Sequence, residues 1–119
     1  MRDVFAHDAV LAMASEEDLR APGGAITVAL CGSWEHEPPC PLAPHHTAVE
    51  RDGDFVRLRV LFAAEPADEP DARRRIAEAL AAGHLVTPGG DASRWRVVSE
   101  GPSQVRPDEA EHGRRLAAS

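Results

Sequence analysis

The sequence predicts an α+β domain: a small, mainly antiparallel sheet with a β-hairpin and a helix packed on one face. Three observations predict it. Residues 46–51 and 54–63 are extended runs around Asp52-Gly53, residues 25–31 alternate with a period of two, and residues 71–82 place Ala72, Ile76, Ala79 and Leu80 near helical spacing.

Residues 3–14 mix Val4, Phe5, Val10, Leu11 and Met13 with Ala6, Ala9 and Ala12, and read as a short helix carrying His7 as a partly exposed surface histidine. Residues 15–24 are polar and end in Pro22-Gly23-Gly24, which reads as a turn. From Ala25 onward Ile26, Val28 and Leu30 point one way and Thr27, Ala29 and Cys31 the other, the alternation of a strand. Cys31 would then stand among small side chains, and Trp34, continuing the aliphatic parity, would close the strand end. Pro38, Pro39, Pro41 and Pro44 put four prolines in seven residues, which removes backbone donors and makes this a stiff loop.

Asp-Gly between extended runs predicts a two-residue hairpin turn with both central residues at positive φ. In its second strand Val56, Leu58, Val60 and Phe62 share one face, and Phe55, Arg57, Arg59 and Leu61 the other. After the break at residues 66–70, Gly83 is placed to cap the helix of residues 71–82, and His84 follows, where an imidazolium complements the helix dipole. Residues 94–98 read as a final strand with Trp95 and Val97 on one face and Trp95 in the core. Residues 101–119 read as a weakly ordered tail or helix, with Leu116 its one large aliphatic anchor and His112 on the surface.

The 119 residues, 43% of them apolar, suit one domain spanning 1–119. All 13 basic residues are Arg, and Lys, Asn and Tyr are absent, a bias that suggests GC-rich bacterial coding. A net charge of −7 opposes nucleic acid, and Arg73, Arg74 and Arg75 spread around a helix as a solvated face. With neither the apolar run of a signal peptide nor that of a membrane span, the expected location is cytoplasmic. There, two cysteines are more often thiols or metal ligands than a disulfide.

Chemistry concentrates in the Pro-rich segment 32–46 and the residue before it. Cys31, His36, Cys40 and His45 or His46 offer soft donors with gaps of four, three and four or five residues, which lets one loop close on a point. Two thiolates and two imidazoles suit zinc, and copper or iron accepts the same donors. His45 and His46 are adjacent, so on extended backbone they point apart and one of them binds. Glu35 and Glu37 flank His36 and would orient its second ring nitrogen. The competing readings are an unliganded structural loop and thiol catalysis, the latter without an orienting Asn or Asp or a Cys-x-x-Cys pair.

The functional expectation is a small cytosolic, zinc-stabilised metal-binding protein acting as an accessory to a protein partner, whose identity the sequence leaves open along with the oligomeric state. A metal- or thiol-dependent enzyme, and a metal sensor or chaperone, are the alternatives. Catalysis is the weaker reading, because no Gly-rich phosphate loop, His-Glu-x-x-His or Ser/His/Asp pattern is present.

Overall fold

The alternation of Phe5, His7, Ala9 and Leu11 makes the first element a strand, where a helix was expected. The computed structural model describes residues 2–31, 43–86, 90 and 92–118. Its elements are β1 (Asp3–Ala12), α1 (Arg20–Cys31), β2 (His45–Asp52), β3 (Phe55–Ala64), α2 (Glu69–Ala82), β4 (His84–Val86), β5 (Ala92–Arg94), β6 (Arg96–Ser103) and α3 (Ala110–Ala117). The four-stranded sheet has the order β2-β3-β1-β6, with every neighbouring pair antiparallel, and β4 and β5 form a separate two-stranded ladder. Because β3 lies between β1 and β2, the sheet and its two main helices form a split β-α-β arrangement. The α+β class holds.

The exchange of strand for helix in the first two elements has a physical cause. β1 is a central strand, hydrogen-bonded to β3 on one side and β6 on the other, and that pairing overrides the weak strand preference of its three alanines. α1 occupies the place where residues 25–31 read as a strand. Ile26 and Leu30, four apart, are both buried against the sheet, whereas Val28, which strand parity would group with them, is 37% exposed. Ala21 and Ala25 extend the same buried stripe upstream. Pro22-Gly23-Gly24, expected as a turn, falls in the first helical turns, where proline forfeits no hydrogen bond. Asp18 supplies the start: its Oδ1 accepts the Arg20 backbone N–H at 2.9 Å and its carbonyl accepts that of Ala21 at 3.0 Å.

The hairpin forms, with its turn one residue further on than expected. Asp52 pairs with Phe55, so the central residues are Gly53 and Asp54, and only Gly53 has positive φ, at 64°. A turn with positive φ at its first central position follows the right-handed twist of the strands as well as the doubly positive type does. Val56, Leu58, Val60 and Phe62 are buried toward α1 and α2 as expected, together with Leu11, Ile26, Leu30, Ile76 and Leu80. α2 ends on Gly83, at φ 72°, whose N–H donates to the Leu80 carbonyl. A side chain at this glycine would come within 2.9 Å of the Trp95 carbonyl. Trp95 is buried as expected, yet it sits between β5 and β6, with its indole N–H on the Leu80 carbonyl at 2.9 Å.

The C-terminal segment is a helix, and Leu116 is not its main anchor. Glu109, just before α3, pairs with Arg59, and Gly113 packs so closely on Val4 that a Cβ there would lie 2.8 Å from a valine methyl. α3 therefore covers part of the sheet face opposite α1 and α2. No helix among the described residues is long and apolar enough to cross a membrane.

Candidate functional site

Alternation along β2 separates the two adjacent histidines. His45 turns toward α1, with its Nε2 3.0 Å from the Thr27 hydroxyl and its Nδ1 3.1 Å from the Ala43 carbonyl. A carbonyl only accepts, so Nδ1 carries the proton and, in the neutral ring, Nε2 carries the lone pair. Thr27 Oγ1 also lies 3.1 Å from the Gly23 carbonyl, so one hydroxyl proton serves two acceptors. Thr47, two residues further along the face of His45, buries its Oγ1 with no hydrogen-bond partner among the described residues. His46 turns to the opposite face, where its ring lies 4.9 Å from that of His112, at 57°.

Cys31 is the last residue of α1, four residues beyond Thr27. It is helical, not on a strand, which corrects the placement expected from the alternation. His36 and Cys40, with Trp34, Glu35 and Glu37, lie outside the described residues, as does any convergence of these donors with Cys31 and His45. Among the described residues, no group of three or more His, Cys, Asp or Glu side chains is placed to hold a metal ion.

Two polar networks escaped the sequence reading. His7, expected on the surface, is 2% exposed on the helix side of β1. Arg73 donates to its Nδ1 at 3.0 Å, and because a guanidinium only donates, the ring proton sits on Nε2, which faces a Glu100 carboxylate oxygen at 2.5 Å. Arg73 itself is fixed by Glu69 at 2.7 Å and the Ala6 carbonyl at 2.8 Å, with its guanidinium over the rings of Phe5 and Phe62. Of the arginine run, Arg74 and Arg75 form the expected solvated face and Arg73 does not. Both His7 nitrogens are committed, so the cluster locks α2 and β6 onto β1. The signal was His7 sharing the parity of Phe5, Ala9 and Leu11.

On the other face, Arg59 uses all five of its donors: on both Glu109 carboxylate oxygens at 2.7 and 2.8 Å, on Asp8 at 2.8 Å, on the Ser103 hydroxyl at 3.0 Å and on the Gln104 carbonyl at 2.7 Å. Its guanidinium holds the Glu109 carboxyl down at about 2, and the carboxylates raise Arg59 above its ordinary value. Beside this clamp lies an open hollow of ≈430 Å³, with Val10 and Ala48 in its lining and Glu50, Arg57 and Arg106 among its charged groups. No protein-family model, no curated protein and no solved structure matches this chain.

Proposed function

We propose that this chain is a small metal-binding accessory protein, stabilised by zinc at the junction of α1 and β2, that acts by binding a protein partner. The proposed ligands are Cys31, His36, Cys40 and His45. The supporting observation is the His45 ring: its Nδ1 proton rests on the Ala43 carbonyl and its Nε2 lone pair is turned to α1, where the Thr27 hydroxyl meets it; that hydroxyl also has the Gly23 carbonyl as acceptor, so a metal ion would replace it on Nε2 without stranding its proton. A ring nitrogen held by a backbone carbonyl while the other points inward is the usual arrangement of a metal-binding imidazole. Thr27, which the ring touches, precedes Cys31 by four residues, about one helical turn, so Cys31 and His45 belong to neighbouring parts of the backbone. His46 faces the other side and is the member of the pair left out of this set. In a reducing cytoplasm both cysteines remain available as thiolates.

The test is metal content of untagged protein purified without chelator, followed by cobalt substitution. Stoichiometric zinc and a cobalt spectrum with thiolate charge-transfer bands are expected, both lost in Cys40→Ser and in His45→Ala. Copper or iron in the same elemental analysis would keep the site and change the ion. Metal-free protein that takes up no cobalt rejects the proposal.

A further inference from the structure

Of the described histidines, His46 and His112 alone make no ring hydrogen bond to a described residue. His7 and His45 have both ring nitrogens engaged, and His84 Nδ1 donates to the Ala82 carbonyl at 3.0 Å. The rings of His46, on β2, and His112, on α3, instead lie beside each other, with centres 4.9 Å apart and planes tilted by 57°. Two imidazoles bound to one ion, at the usual zinc–nitrogen distance of about 2.1 Å and a near-tetrahedral angle, hold their ring centres roughly 5 Å apart. The spacing therefore already suits a shared ion.

The spacing is also held by anchored elements. His112 lies between the two points at which the C-terminal segment is pinned to the sheet, the Glu109 pair with Arg59 and the contact of Gly113 with Val4. His46 is on a strand paired along its length to β3. Donors set on rigid elements lose little freedom on binding an ion. His46 is exposed and His112 half-buried, so an ion reaches both rings from solvent. The nearest acidic neighbour in sequence, Glu111, is paired to Arg115 at 3.3 Å.

We propose that His46 and His112 form a second, surface metal site, in which two imidazoles and water hold a divalent zinc, nickel or copper ion and tie α3 to β2. It contains no thiolate, lies on the opposite face of the sheet from His45, and does not depend on the function proposed above. Imidazole donors favour these three ions over magnesium or calcium.

The experiment is calorimetric titration of the full chain with nickel chloride, comparing the parent with His46→Ala, His112→Ala, the size-conserving His112→Gln, and His84→Ala as a control on an exposed histidine elsewhere. Two donors on one ion act through a high effective concentration, so loss of either should weaken nickel binding by about 100-fold while His84→Ala leaves it unchanged. Hydrogen exchange in α3 should slow on adding nickel in the parent and in His84→Ala, and not in the other three. Any thiolate charge-transfer bands that the cobalt-loaded parent shows should survive in His112→Gln, which separates this site from the cysteine site proposed above. Parent-like nickel affinity in both His112 variants, or equal weakening by His84→Ala, would mean an adventitious ion only and would overturn the proposal.

Discussion

On its helix side the sheet presents Leu11, Val56, Leu58, Val60 and Phe62, none more than 2% exposed, to Ile26, Leu30, Ile76 and Leu80. On its other side the short helix α3 covers only part of the surface, and the strongest link is the five-donor Arg59 clamp on Glu109, Asp8 and the β6 end. One face is closed mainly by apolar area, with the His7–Arg73–Glu100 cluster beside it, and the other depends more on paired charge, which responds to pH and salt. The first face should therefore set global stability, and the second should govern whether α3 stays docked. His45 and His46 sample the two environments from adjacent positions on β2.

The largest expected effect lies on the helix side. Phe62→Ala removes a fully buried ring that touches Phe5 and the Arg73 guanidinium, and should cost about 3–5 kcal/mol in denaturant unfolding. A loss under about 1 kcal/mol would mean that this face is not the main source of stability.

Acid should act on the other face. The Glu109 carboxyl is lowered from an ordinary 4.5 to about 2, so its contribution is complete above about 4.5 and disappears as the pH falls through about 2. The full difference corresponds to roughly 3 kcal/mol, which screening at this partly wetted position reduces to about 1–2 kcal/mol. Denaturation of the parent at steps between pH 7 and pH 2 should show that loss, with α3 amides exchanging first. Glu109→Gln should flatten the dependence, and an unchanged slope in that variant would break the contrast between the faces. The smallest effect belongs to the solvated pairs on α2. Asp71→Ala removes the carboxylate shared by Arg74 and Arg75, and should leave the thermal midpoint of the parent unmoved in moderate salt.

What was legible in the sequence followed from strong local signals. The alternation of residues 54–63 and the Gly83 stop gave β3 and α2 almost at their limits. β1 and α1 were exchanged because Ile26 and Leu30, four apart, fit both periods and Val28 adds a strand-like alternation, and only the long-range pairing of β1 with β3 and β6 decides between them. The opposed orientation of His45 and His46 was readable from strand geometry alone. The burial of His7 was hidden by taking residues 3–14 as a helix, which erased its parity with Phe5 and Leu11. The clamp of Arg59 on Glu109 and the meeting of His46 with His112 depend on where α3 docks, and nothing local in the sequence announces that.

The most direct test of the metal-binding account is hydrogen exchange of zinc-loaded protein before and after chelation. Zinc held by cysteine and histidine contributes roughly 10–16 kcal/mol of apparent binding free energy, while a domain with a core of this kind nets about 5–15 kcal/mol unaided. Chelation should therefore speed exchange in residues 32–46 and the last turn of α1, and leave β3 and α2 protected. Cys40→Ser should reproduce the chelated pattern without chelator, and Cys31→Ser should do so with a larger loss at the end of α1. Exchange that is identical with and without chelator, together with serine variants that match the parent, would contradict the account.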